Sequence, residues 1–104
     1  ALDIKISFRY DNPPLKIDPN SSVIKSWKKA MAISNNLLED KIQLIGTASS
    51  SDMGFVSEIL KKNDIIITGI ESPSSKAHGE NEFVRIRDIK TLIKELIVFL
   101  CEEL

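Results

Sequence analysis

Apolar and polar positions alternate at the start of the chain. Leu2, Ile4, Ile6, Phe8 and Tyr10 fall on one parity, and Asp3, Lys5, Ser7 and Arg9 on the other. A period of two predicts a strand with one buried and one wet face. Asp11-Asn12-Pro13-Pro14 stops it, because prolines fix φ and remove backbone donors, and residues 15–20 follow as an extended connector containing a further proline, Pro19. Beyond it the period changes. Val23, Ile24, Trp27, Ala30, Met31 and Ile33 or Ser34 recur at three-to-four spacing, with Lys25, Lys28 and Lys29 opposite. That spacing predicts a helix capped by Asn20 or Ser21 and ending near Asn35-Asn36.

Ile42, Leu44 and Ile45 predict a short strand leading into Gly46-Thr47-Ala48-Ser49-Ser50-Ser51-Asp52. A second helix is expected from about Ser51, with Phe55, Val56, Ile59 and Leu60 as its stripe and Asn63-Asp64 as its stop. Ile65-Ile66-Ile67-Thr68-Gly69-Ile70 is β-branched and too short for a helix, so it reads as a strand buried on both faces, which implies a parallel sheet. A polar loop, residues 71–82, precedes a third helix from about Arg87, with Ile89, Leu92, Ile93, Leu96, Ile97 and Leu100 at core spacing. The expected fold class is therefore α/β: a βαβα part of a doubly wound, mainly parallel sheet with helices on its faces, preceded by one extra strand. Three strands are few for such a sheet. The chain reads as part of a larger one, and its opening inside an alternating segment fits missing upstream sequence.

Composition narrows the class. With 104 residues and a formal charge of -1, the chain is one domain at most and offers no electrostatic case for nucleic acid or an anionic membrane. No stretch has the ~18–20 apolar residues of a membrane span, and no signal-peptide layout opens the chain. The lone Cys101 excludes an internal disulfide, reads as a small buried hydrophobe, and favours a reducing, cytoplasmic setting.

Chemistry concentrates in two loops. If the second and third strands are parallel neighbours, residues 46–52 and 71–82 leave the same sheet edge and share one crevice. Thr47, Ser49, Ser50 and Ser51 would offer hydroxyls and free N–H groups to a carboxylate or phosphate, or would simply cap the helix. His78, the single histidine, is a candidate metal ligand with Glu80 or Glu82 as neighbour, or a solvated loop residue. Zinc needs three or four ligands, and no second histidine or paired cysteine is present. Arg85 and Arg87 oppose the dipole of the last helix and are expected to be held by Glu80, Glu82 or Asp88.

Gly46-Thr47 with Ser51-Asp52, then an apolar strand carrying glycine near its end, then Ala77-His78-x-x-Asn81-Glu82-x-Val84 and a closing helix, resembles the C-terminal part of the zinc-dependent exopeptidase and deacylase family. That family includes succinyl-diaminopimelate desuccinylase, acetylornithine deacetylase, aminoacylase and glutamate carboxypeptidase. Arg9-Tyr10-Asp11-Asn12-Pro13-Pro14-Leu15-Lys16 is similar to the branch that hydrolyses carrier-protein-bound lysine or ornithine in amino-acid biosynthesis. The resemblance implies His78 as a ligand of one of two divalent metal ions, zinc with cobalt as an alternative. It places Gly46, Thr47 and Asn81 by the substrate, with Asp52 and Glu82 supporting the loops.

It further implies that residues 1–12 are the last strand of a lid or dimerisation domain, residues 13–20 a connector, and residues 21–104 the C-terminal part of the catalytic domain. The partners implied are the N-terminal half of that domain, a second copy in a homodimer, and an amino-acid-derived amide substrate that is carried on a protein in the narrower branch. In one respect the chain departs from the family. Members read glycine-threonine-serine-aspartate without a gap, whereas Ala48, Ser49 and Ser50 intervene here. The other metal ligands and the general-base glutamate have no counterpart, so the chain is expected to be inactive alone. From the residues alone, the rival reading is a non-catalytic α/β anion-binding or assembly module.

Overall fold

The computed structural model describes residues 2–8, 11–47 and 51–101. Three α-helices are formed: α1 (Ser22–Asn35), α2 (Met53–Leu60) and α3 (Ile86–Cys101), with a single 3-10 turn at Glu39–Lys41 between the first two. Helix α1 starts where its side chains can satisfy a free amide. Ser21 sits in extended conformation, and its Oγ accepts the Ile24 N–H at 3.4 Å. It ends at Asn36, whose left-handed φ of 53° turns its N–H back onto the carbonyls of Ala32 and Ile33. Helix α2 ends in the same manner at Lys61, two residues before the expected Asn63-Asp64 stop. There Ser57 Oγ donates to the Lys62 carbonyl at 2.7 Å and lies 3.0 Å from Asn63 Oδ1, anchoring the exit.

The core lies between α1 and α3, which pack directly on each other. Ile24, Trp27, Ala30 and Ala32 are buried on α1, and Ala30 is fully covered. The Trp27 and Phe99 rings meet edge to face at 5.3 Å between centroids and 73° between planes, a favoured aromatic geometry. On α3 it is the edge carrying Glu95 and Phe99 that turns to α1. Ile93, Leu96, Ile97 and Leu100, expected to be core, remain exposed. Cys101, expected to be buried, is exposed too.

The doubly wound parallel sheet is not formed. Helix makes up 43% of the structure and no strand occurs among the described residues, which overturns the α/β class and its βαβα order. Residues 2–8, 43–46 and 63–69 carry no regular secondary structure, and among the described residues none of them makes a backbone hydrogen bond to another backbone group. The rest of the first predicted strand, Arg9 and Tyr10, lies outside the described residues. Alternation and apolar runs report which side chains need cover. A strand also needs a neighbour to take its N–H and C=O groups, and among the described residues no segment is placed beside another as a ladder. The side chains show the consequence, with Leu2 93% and Ile67 55% exposed.

Two global measures agree. The radius of gyration is 17.3 Å, where a compact domain of this length has about 13 Å. The accessible surface is 8961 Å², against about 5800 Å² expected for a folded monomer of this mass. Much apolar surface therefore stays in contact with solvent.

Helix α2 makes no contact with another helix and leans instead on the connector, where the Pro13 carbonyl lies against the buried Gly54. A methyl group at Gly54 would overlap that carbonyl oxygen, and backbone cannot yield as a side-chain tip can. Alanine normally stabilises a helix interior by about 1 kcal/mol over glycine. Here the sign should reverse: Gly54→Ala is expected to lower stability by about 1–3 kcal/mol, the usual range for overpacking, read as an earlier midpoint in urea denaturation.

Candidate functional site

The loop between the last extended segment and α3 carries His78. Its base is closed by short bonds: the Ser75 N–H donates to the Ser72 carbonyl at 2.8 Å, and the Phe83 N–H donates to the Ser75 carbonyl at 3.1 Å. Between these ties the chain takes left-handed conformations at Lys76 (φ 56°), His78 (φ 60°) and Asn81 (φ 57°). Each such position outside glycine costs about 1 kcal/mol or more, so the surrounding bonds must hold the turn. The Gly79 N–H donates to the Lys76 carbonyl at 2.7 Å, and a Cβ at Gly79 would come within 2.9 Å of that oxygen.

His78 is exposed, and its backbone N–H donates to the Glu82 carboxylate. Glu82 in turn shares a hydrogen bond with the Glu71 carboxyl. This bond, together with lost hydration and the Glu82 charge, holds the Glu71 carboxyl above its ordinary range. Glu82 is held below its ordinary range, first by the bond from Glu71 and then by the His78 amide and imidazole, against the opposing effect of lost hydration. Glu82 was anticipated as a neighbour of His78. Glu80 is exposed, and Glu71 takes the place expected of it.

The two shifts act over opposite pH ranges. For Glu82, whose folded pKa is depressed, the contribution is present above the ordinary carboxylate pKa and is lost as pH falls through the lowered value. For Glu71, whose folded pKa is raised, it is fully present below the ordinary pKa and is lost as pH rises through the raised value. Order in residues 76–82, measured by backbone NMR relaxation, is therefore expected to peak in mild acid between the two values and to decline on either side. Glu71→Gln keeps an amide donor at every pH and should abolish the alkaline decline alone.

The other expected site residues lie elsewhere. Gly46 and Thr47 line an apolar cleft of about 950 Å³ with Pro13, Trp27, Leu44 and Ile66, and no residue of 71–82 lines it. The single crevice expected from a shared sheet edge is therefore not formed. Ser49 and Ser50 lie outside the described residues. Ser51 Oγ accepts the Met53 N–H at 3.2 Å, at the start of α2, a contact of the capping kind. Asp52 provides no side-chain cap. Arg85 and Arg87 both pair with Asp88, at 2.5 and 3.6 Å, so the first turn of α3 carries a compensating acid.

The structure thus gathers His78, Glu82 and Glu71 in one loop, with Asn81 beside them in sequence, and leaves Gly46 and Thr47 on a separate wall. Glu71 and Ser75 escape detection from sequence because a loop closure has no periodicity. The run Ser72-Pro73-Ser74-Ser75 is the signal that was available, since proline and serine mark a tight turn. Among the described residues no group of three His, Cys, Asp or Glu side chains could hold a metal ion. His78, Glu82 and Glu71 are not placed as such a group, so this loop does not make a zinc site on its own. Among the described residues no helix is long and apolar enough to cross a membrane. No family model matches the chain, and no curated protein or solved structure matches it either.

Proposed function

We propose that the chain is the C-terminal portion of a two-metal amidohydrolase of the deacylase or carboxypeptidase type, cleaving an amide bond on an amino acid. The narrower substrate class is carrier-bound lysine or ornithine. The observation that carries this reading is the placement of His78: exposed, in a left-handed turn, with its backbone held by the Glu82 of the Ala77-His78-x-x-Asn81-Glu82 motif. In this reading His78 is one ligand of a zinc pair, with cobalt as an alternative, and Gly46, Thr47 and Asn81 contact the substrate. Because the described residues do not complete a metal site, this reading assigns the remaining ligands to the N-terminal half of the catalytic domain, and no catalytic step is assigned to the chain alone. The large solvent-exposed apolar surface supports that need for a partner. The reading also carries a cytoplasmic setting and a homodimer.

The test is zinc content and amide hydrolysis in the protein that includes the N-terminal half, with and without His78→Ala. The proposal expects loss of metal and of turnover together. Unchanged stoichiometry and turnover would remove His78 from the metal centre and the reading with it.

A second reading, a non-catalytic binding or assembly module, is favoured by the apolar cleft, which holds Gly46 and Thr47 apart from the His78 loop. It expects a monodisperse chain that needs no partner and is stabilised by a ligand without metal.

A further inference from the structure

Ser75 is a hydroxyl residue in a polar loop, yet it is only 1% exposed. All three of its polar groups are used. Its N–H donates to the Ser72 carbonyl at 2.8 Å, its carbonyl accepts the Phe83 N–H at 3.1 Å, and its Oγ accepts the Ser72 N–H at 2.9 Å. The Oγ also lies 3.1 Å from Ser72 Oγ, which is 2.9 Å from Ser74 Oγ. One residue therefore grips both stems of the loop, the N-terminal stem through Ser72 and the stem leading to α3 through Phe83.

The consequence reaches the two carboxylates. Glu71 precedes Ser72 and Glu82 precedes Phe83, so the Ser75 ties bring the next residue of each stem into register. The Glu71–Glu82 hydrogen bond and the Glu82 hold on the His78 amide depend on that register. The left-handed positions at Lys76, His78 and Asn81 all fall inside the segment that Ser75 closes.

We propose that Ser75 is the positioning residue of the candidate site, fixing the loop conformation that presents His78. Its role toward a metal rests on the hydrolase reading; its role in fixing the loop does not. A buried hydroxyl is chosen over an apolar residue because the Ser72 amide would otherwise have no acceptor. Alanine removes that acceptor and leaves the backbone chemistry of Ser75 intact. Threonine keeps the oxygen.

The experiment is amide hydrogen exchange and backbone NMR on the full chain for Ser75→Ala, Ser75→Thr and Ser74→Ala. Ser75→Ala is expected to speed exchange at Phe83 by about tenfold or more and to shift the resonances of residues 76–82, with the amides of α1 and α3 unchanged, as for a local opening. Ser75→Thr should restore both, and Ser74→Ala, which removes an exposed hydroxyl, should leave both alone. Unchanged resonances over 76–82 in Ser75→Ala overturn the proposal. So does an equal loss of protection in the helices, which would make Ser75 a general stability residue. Should the threonine variant pack poorly, Ser74→Ala provides the check: it keeps both the Ser72 amide and the Ser75 hydroxyl, so it should retain Phe83 protection, and loss of that protection would also overturn the assignment. No metal or substrate enters this measurement. It can fail while the hydrolase reading stands, and the zinc measurement can fail while the loop result stands.

Discussion

Replacing Trp27 by alanine is expected to abolish the folded state under conditions where the parent chain is folded. Trp27 is only 6% exposed, supplies the largest side chain among the buried apolar residues, and makes the edge contact with Phe99 that joins α1 to α3. Truncating a buried aromatic costs about 3–5 kcal/mol through lost transfer energy and the cavity left behind. A small domain has about 5 kcal/mol in total at the lower end of the usual range, and this one buries little else, since among the described residues the other buried hydrophobic ones are Ile24, Ala30 and Ala32. Urea denaturation followed by far-ultraviolet circular dichroism checks the result, since the tryptophan signal itself is lost. Ile6→Ser is the companion measurement. Ile6 is exposed, so its replacement should leave the midpoint in place, whereas burial in a sheet would make it cost about 2 kcal/mol.

That contrast marks the boundary of what the sequence made legible. The helices could be read because a helix satisfies its own backbone groups. Val23 to Met31 at three-to-four spacing, a serine at the start and Asn36 at the end carry all the information the segment needs, and the ends fall within a residue or two of expectation. The strands could not be read in the same way. Ile65-Ile66-Ile67 states a demand for burial without naming the neighbour that meets it, and the demand is only partly met, with Ile65 and Ile66 half-buried and Ile67 exposed. The orientation of α3 was hidden for a related reason. Its widest apolar stripe would face a sheet, but the partner present is α1, and the edge that fits α1 contains a glutamate. At the site, the position and exposure of His78 were legible from its polar loop. Glu71 and Ser75 were not, because the bonds that bring them in arise only after the loop has closed.

The glutamate on that edge gives the second large effect. Glu95 is 6% exposed and accepts a hydrogen bond from Asn35 Nδ2 at 2.7 Å, a contact across 60 residues that ties the last turn of α1 to the middle of α3. The same amide reaches the Met31 carbonyl at 2.9 Å and Ser34 Oγ at 3.2 Å, so the donor is held by its own helix before it meets the carboxylate. Asn35→Ala leaves a buried carboxyl oxygen without its donor and is expected to cost about 2–3 kcal/mol, since an unpaired buried group loses its hydration and regains nothing. Glu95→Gln keeps an acceptor oxygen at the same place and should cost under about 1 kcal/mol. Glu95→Leu should be neutral or stabilising, because it removes the desolvated group and Asn35, being exposed, returns to water. In the double variant Asn35→Ala, Glu95→Leu the penalty of the first change should therefore vanish, a coupling that a double-mutant cycle in urea reads directly. Additive costs would mean that the carboxylate does not depend on Asn35, and that α1 and α3 are held in register by the Trp27–Phe99 contact without help from the polar pair.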